Sequence, residues 1–438
     1  MTADYRSRIM PADVAVAEIL SGQRVYIHNG CSEPVDLVNA LTRRGPELFD
    51  VEVLHMATMG VADYSHPEFA GHFRHNSLFI GGNVRQAVQD GRADYTPVFL
   101  SEIEDLFRSG ALPIDVCLLQ CSPPDPYGYM SLGASIDASL TAAQCARHVI
   151  VEINEQCPRT LGDTFLHVSR VDAFVETSHP LSEYPRHPVT ELHRAIGRNV
   201  ASLIPDGATI QTGIGGIPEA TLGLLRDRKD LGIHSEMVPE SAVELIQAGV
   251  INGERKTLHP HKVIAGFVLG GKRLFDFIDN NPIFEFHRTA YCNDPFVIAQ
   301  NDRMVAINSA IEVDLTGQVC SDSMGQVPYS GIGGQVDFLR GAARSKGGMP
   351  IITLPSTAKN GTVSRIVPTL RPGAGVVTSR GDVHYVITEH GIAYLHGKTV
   401  SQRVEALIQV ADPKFRDGLE ASARKAKLLR ANPSLVAV

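Results

Sequence analysis

Asp206-Gly-Ala-Thr-Ile-Gln-Thr-Gly-Ile-Gly-Gly-Ile-Pro-Glu-Ala-Thr-Leu222 repeats the pattern of Ser21-Gly-Gln-Arg-Val-Tyr-Ile-His-Asn-Gly-Cys-Ser-Glu-Pro-Val-Asp-Leu37. In each, a glycine turn leads to a short apolar strand, then to a glycine loop, then to a proline and an amphipathic helical stretch. A strand, loop and helix unit that opens both halves of the chain predicts two similar α/β domains that arose by duplication. Working outward, a helix is expected over about Pro11–Leu20, strands over Gln23–His28, Val51–Met56, Ile114–Gln120 and Val149–Ile153, and a Gly81-Gly82 turn entering a helix at Asn83-Val84-Arg85. Strands alternating with helices call for mostly parallel sheets. Asp125-Pro-Tyr-Gly128 in the first half is echoed by Asp314-Leu-Thr-Gly317 in the second. Between Pro180 and Pro188 the chain turns polar and proline-rich, which divides it into domains at 1–185 and 186–438. A chain of 438 residues is longer than one core usually serves.

The charge is -8 and charged residues make up 20%, so no basic field exists to attract nucleic acid or an acidic membrane surface. No apolar run approaches the roughly 20 residues of a membrane span. The start, Met1-Thr2-Ala3-Asp4-Tyr5-Arg6, has no apolar signal segment, and the expected location is the cytoplasm. Seven cysteines without a CxxC pair read as reduced core thiols, and His259-Pro-His261 reads as a turn, so no metal is assigned.

Five stretches carry chemistry. Gly213 to Pro218 follows the strand Ala208–Thr212 and opens a helix, with Pro218 expected at the first helical position; free N–H groups there suit an anion. The pattern is GxGxxP, which fails the dinucleotide fingerprint at its third glycine. Glu236 is expected to end the strand Leu231–Ser235 at the C-terminal edge of a parallel sheet, where α/β sites form. Asn293, in Tyr291-Cys-Asn-Asp-Pro295, and the amides of Gly331-Ile-Gly-Gly334 can donate to an oxyanion. Lys359 follows the strand Pro350–Leu354, where a cation would meet a phosphate or a carboxylate.

Taken in order, Gly213-Ile-Gly-Gly-Ile-Pro218, His234-Ser-Glu-Met237, Asn293-Asp-Pro295, Ile307-Asn-Ser-Ala-Ile-Glu312, Gly331-Ile-Gly-Gly-Gln-Val-Asp-Phe338 and Pro355-Ser-Thr-Ala-Lys359 resemble the acetyl-CoA hydrolase/transferase family, especially its 4-hydroxybutyrate, butyrate and itaconate CoA-transferases. Phe73-Arg-His-Asn-Ser-Leu-Phe79, Gly91-Arg-Ala-Asp-Tyr-Thr-Pro97 and Ser122-Pro-Pro-Asp-Pro-Tyr-Gly128 extend the resemblance over nearly the whole chain. It implies two CoA-transferase-type (NagB/RpiA-like) domains with the active site between them. It also implies a ping-pong CoA-transferase in which Glu236 carries CoA as a thioester and Asn293 and Gly334 bind the oxyanion. The loop Gly213, Ile214, Gly215, Gly216 and Ile217, together with Gly331, Gly333 and Lys359, would contact CoA, which is a substrate; no permanently bound cofactor is implied. Asn29, Gly30, His55, Met56, Arg74, His75 and Asn76 are candidates for the acceptor acid, with Arg74 facing a second carboxylate if the acid is a diacid. A homodimer or larger assembly is expected. Rival readings are an acyl-CoA hydrolase using water as acceptor and a nucleotide-binding regulatory module without chemistry.

Overall fold

In the computed structural model, which describes residues 5–429, the two halves build the same sheet. The first half contributes β1 (Arg24–Ile27), β2 (Val51–His55), β3 (Phe73–Ser77), β4 (Ala93–Tyr95) and β5 (Val116–Cys121). It continues with β6 (Tyr129–Ser131), β7 (His148–Asn154), β8 (Phe165–His167) and β9 (Ala173–Thr177). Seven of these form a wholly parallel sheet in the order β4-β3-β2-β1-β5-β7-β9, while β6 and β8 make a small antiparallel pair.

The second half contributes β10 (Thr209–Gln211), β11 (Gly232–Pro239), β12 (Val263–Leu269), β13 (Phe284–Phe286) and β14 (Met304–Ser309). Short strands β15 (Glu312–Asp314), β16 (Val319–Cys320), β17 (Ser323–Met324) and β18 (Val327–Pro328) follow, then β19 (Met349–Thr353). Last come β20 (Thr357–Ala358), β21 (Val363–Ser364), β22 (Ile366–Val367), β23 (Tyr385–Thr388) and β24 (Gly391–Tyr394). The large sheet runs β13-β12-β11-β10-β14-β19-β23-β24, parallel except for the β23-β24 hairpin. Its first seven positions repeat the winding of the first sheet. Each sheet starts at its centre, winds outward through three strands, and resumes on the other side. The chain therefore reverses direction at β1 and at β10, and it is at the C-terminal edge of such switch points that α/β sheets characteristically bind ligands.

β5 and β7 show why these are parallel sheets: all six residues of β5 and all but one of β7 are buried, as strands covered on both faces must be. One hydrophobic cluster runs through both halves, from Tyr26, Leu119 and Ile153 to Ile233, Met237 and Leu269. Backbone bonds reinforce it. The N–H groups of Ile136 and Asp137 donate to the Gly266 carbonyl at 3.0 and 3.2 Å, and Val268 donates to Ala134 at 2.9 Å. The paired motifs of the two halves also share a conformation. Asp125 accepts the N–H groups of Tyr127 and Tyr129 through Oδ1, and Asp314 accepts those of Thr316 and Gln318 in the same way. Gly128 and Gly317 close the two turns with φ of 87° and 94°, a left-handed geometry that glycine adopts freely.

The first helix is shorter than expected, Ala12–Ala15 followed by a 3-10 turn at Val16–Glu18, because Ile19 turns extended and buries its side chain. Residues 178–190 carry no helix or strand, and Tyr184 and Glu183 are hydrogen-bonded to Gly270 and Lys272 of the second half. All seven cysteines are free and all but Cys145 are buried. Among the described residues no helix is long and apolar enough to cross a membrane. Met1–Asp4 lie outside the described residues.

Candidate active site

Glu236 lies within β11, not at its end. The strand runs on to Pro239 because β12 keeps pairing with it through Pro239↔Leu269, whereas β10 pairs only as far as Ile210↔Ile233. The Gly213 loop carries the chain away on that side, so Glu236 has a neighbouring strand on one flank and loop on the other. Its side chain is half-buried, and its Oε2 accepts a hydrogen bond from Asn293 Nδ2 at 3.0 Å. The Gly334 N–H is a second donor. Burial pushes the carboxyl above the ordinary glutamate range, and the two donors oppose that shift by favouring the anion. Among the described residues no cation forms an ion pair with Glu236.

Each donor is held by its own support. Asn293 caps the Thr289–Cys292 helix, whose Ala290 N–H donates to the buried Glu104 carboxylate of the first half at 2.8 Å. His234 Nε2 bonds the Cys292 carbonyl at 2.9 Å, and Cys292 Sγ donates to the Ser235 carbonyl at 3.0 Å. Burial lowers His234 to about 3, so the imidazole is neutral and acts as a strut. A side chain at Gly334 would push both partners aside: a Cβ there would lie 1.9 Å from Glu236 Oε2 and 2.2 Å from Asn293 Nδ2.

The two glycine loops do different work. At Gly213 and Gly215 a Cβ would meet nothing within 4 Å, and Gly215 has φ of 110°, so this backbone lies open to an approaching ligand. Gly216 instead packs against the His193 ring, where a Cβ would fall at 2.1 Å; Ile217 is buried and Ile214 is exposed. The helix begins at Gly216 with Gly215 as its cap, which makes Pro218 the third helical residue and not the first; its missing N–H costs nothing there, since the first-turn donors have no helical partner anyway. At Gly331 and Gly333 the expectation of open contact needs correcting. The space a Cβ would take is filled by Phe79 of the first half, at 2.8 and 3.1 Å. Ile332 N–H donates to Tyr95 OH at 3.1 Å, and Leu100 N–H donates to the Gly333 carbonyl at 3.2 Å. This loop is moulded on the other half. Lys359 stands exposed at the turn joining β20 and β21, with φ of 49° and, among the described residues, no ion-pair partner.

The first-half candidates divide. Gly30 lies across from Leu269 of the second half, and its N–H donates to Ala57 at 2.8 Å. Asn29 is buried and committed, donating to Asp137 at 2.8 Å and accepting from Met56 N–H at 2.9 Å, and Met56 is itself buried. His55 and His75 are buried and neutral, bonded to Tyr64 OH and Ser77 Oγ, each at 2.6 Å. Asn76 is engaged with Glu52 and Thr96. Arg74 is not free for a diacid. It sits near the start of β3, away from the C-terminal edge, bonded to Asp50 at 2.7 Å and Glu52 at 3.1 Å.

Among the supporting residues, Glu104 and Ser101 lie outside every motif of the sequence, whereas Phe79, Tyr95 and Asp337 lie inside motifs of the family resemblance that gave them no individual role; their contacts with the other half arise only through folding. His259, Glu285 and His287 bring ligand-type atoms within 4.8 Å of one another, and each is already hydrogen-bonded within that group or to Tyr291. The His259 and His261 backbones are both left-handed, in the turn expected at that Pro-containing step.

Comparison with known proteins accords with this geometry. Residues 1–181 match the acetyl-CoA hydrolase/transferase N-terminal domain and residues 270–423 its C-terminal domain. The chain is 52% identical to the 4-hydroxybutyrate coenzyme A transferase of Clostridium kluyveri, over 95% of this chain and 97% of that one. It is 48% identical to the succinyl-CoA:acetate/propanoyl-CoA:succinate CoA transferase of Fasciola hepatica, over 92% and 84% respectively. The crystal structure of a 4-hydroxybutyrate CoA-transferase from Porphyromonas gingivalis superposes with a TM-score of 0.83 at 42% identity, covering 96% of this chain and 98% of that one.

Proposed function

This chain belongs to the acetyl-CoA hydrolase/transferase family, and on that footing we propose that Glu236 is the nucleophile through which it moves coenzyme A between carboxylic acids. The chain is a CoA-transferase. A Glu236 carboxylate oxygen adds to the thioester carbon of an acyl-CoA; the C–S bond breaks, giving an acyl-glutamyl anhydride and CoA thiolate. The thiolate adds to the side-chain carbonyl carbon of Glu236, the anhydride C–O bond breaks, and the donor acid leaves as its carboxylate. Glu236 then carries CoA as a thioester, and an acceptor carboxylate runs the same steps in reverse. No net proton is taken up or released and no water enters, so the cycle is ping-pong and needs no general base.

The observation that carries this reading is the pair of donors on Glu236, the Asn293 amide at 3.0 Å and the Gly334 N–H. Fixed donors in a partly desolvated site favour an ionised, attacking carboxylate and then a tetrahedral oxyanion, each worth about 3 kcal/mol by the measure of other oxyanion holes. Gly213, Gly215 and Lys359 are our candidates for CoA contacts. The donors we propose are short acyl-CoAs, acetyl-, butyryl- or succinyl-CoA, and the acceptors are small acids of the 4-hydroxybutyrate, butyrate or itaconate type. Arg74, committed to Asp50 and Glu52, is not the group that would hold the second carboxylate of an itaconate-type acid. We place the enzyme in the cytoplasm as a homo-oligomer, in keeping with its free cysteines.

The test is acyl-CoA consumption with and without an acceptor acid. Transfer predicts that loss of acetyl-CoA depends on added butyrate or 4-hydroxybutyrate and yields the new acyl-CoA. Consumption at the same rate in water alone, with free CoA as product, would make the enzyme a hydrolase.

A further inference from the structure

Three glycines in four residues carry the Gly334 N–H, and such a segment is among the most mobile a chain can contain. Something outside it must hold that donor still. Asp337 is placed to do so. It is the third residue of the helix Gln335–Arg344, whose cap is Gly334, and it is only 4% exposed. Its two carboxylate oxygens grip one residue of the other half: Ser101 Oγ–H donates to Oδ1 at 2.9 Å and Ser101 N–H to Oδ2 at 3.2 Å. Immediately before Ser101, Leu100 N–H donates to the Gly333 carbonyl, and Phe99 bridges to Gly333. The segment Phe99–Ser101 is thus bonded both to the glycine loop, at Gly333, and to the helix that follows it, at Asp337. Asp337 also lies within electrostatic reach of Glu236 and within hydrogen-bonding reach of Asn293.

We propose that Asp337 is a positioning residue for the transfer reaction, one that grips Ser101 of the first half and so holds the Gly334 N–H and the Asn293 amide in place against Glu236. A buried carboxylate close to a second, nucleophilic carboxylate is costly: burial, with the Glu236 charge added, lifts Asp337 to about 7 although the Ser101 bonds favour the anion. A carboxyl kept at such a cost, beside a site that needs fixed donors, has a task there. The inference rests on the reading of Glu236 as the nucleophile.

Full-length Asp337→Ala, Asp337→Asn and Ser101→Ala are assayed for kcat and for KM of acyl-CoA, with melting temperature as the check on folding. Asp337→Ala is expected to lower kcat about 100-fold while KM changes less than about 3-fold, since a donor displaced by an ångström costs rate and not binding. Ser101→Ala, which removes one of the two bonds from the far side, is expected to lower kcat about 10-fold by the same logic. Asp337→Asn recovers most of the rate, because its amide can accept the Ser101 N–H and donate to Ser101 Oγ. A kcat within about 3-fold of the parent in both alanine variants overturns the proposal, as does a loss confined to KM, or an asparagine variant as slow as the alanine one. If Asp337→Ala does not fold, the Ser101→Ala kcat decides alone. Covalent labelling of the parent enzyme separates the two readings: no adduct on Glu236 defeats the nucleophile itself, whereas a normal adduct with fully active Asp337 variants defeats only this inference.

Discussion

Glu236, Asn293 and Gly334 form a site that can be dissected atom by atom. Gly334→Ala isolates the steric demand, since Gly334 has an ordinary φ of -94° while its Cβ would lie 1.9 Å from Glu236 Oε2. We expect turnover to fall by at least about 1,000-fold with the fold retained, read by kcat beside circular dichroism, because the substitution displaces Glu236 and both of its donors at once. Asn293→Ala should cost about 100-fold in kcat, the loss typical of one oxyanion donor. The pH behaviour follows from the raised Glu236 carboxyl. With Glu236 as the proposed nucleophile the anion is the active form, so the acid limb of kcat/KM should lie above the 4.5 of an ordinary glutamate. The same shift has a stability sign. A carboxyl raised in the folded state stabilises fully only below its unfolded pKa, and that contribution is lost as pH rises through the folded value. Glu236→Gln should therefore be inactive yet melt no lower than the parent at pH 7 and above.

At the scale of elements, the loop after β1 mirrors the Gly213 loop after β10 but is filled differently. Glu33 is 1% exposed, accepts the Gly60 N–H at 2.9 Å through Oε2, and leaves Oε1 without a partner. Burial pushes it up to about 8, so it is protonated at neutral pH in the fold and ionised in the unfolded chain. Its contribution to stability is complete below the unfolded value of 4.5 and declines as pH rises to about 8. Glu33→Gln should raise the melting temperature, and the gain should be larger at pH 8 than at pH 5 by about 3 kcal/mol in unfolding free energy. These loops also show what was legible in the sequence. The paired strand and loop patterns predicted β1 and β10 within a residue, and the Asp125 and Asp314 echo proved to be one turn used twice. Strand ends were less legible, because where β11 stops depends on β12, a neighbour supplied by tertiary pairing. Pro218 was misplaced by two residues because the open conformation of Gly215 starts the helix early.

For the whole molecule, the two halves repeat one sheet winding, yet Glu236, the nucleophile we propose, lies in the second half, and residues of the first half brace the segments around it. Phe79, Tyr95, Ser101 and Glu104 all reach across to Gly331, Ile332, Asp337 and Ala290. None of these contacts had a signature in spacing, since each joins residues roughly 200 positions apart that meet only once both sheets exist. Glu236, Asn293 and Gly334 were singled out together by the family resemblance, and the fold brings them against one another; Arg74 was misread because its partners Asp50 and Glu52 are brought to it by strand register. The central claim is that one carboxylate carries coenzyme A between two acids. It is tested most directly by incubating the enzyme with acyl-CoA, trapping with borohydride or hydroxylamine, and mapping the modified peptide by mass spectrometry. A modification confined to Glu236 and absent from Glu236→Gln is expected; no modification, or one on another residue, would contradict a carrier role for this carboxylate.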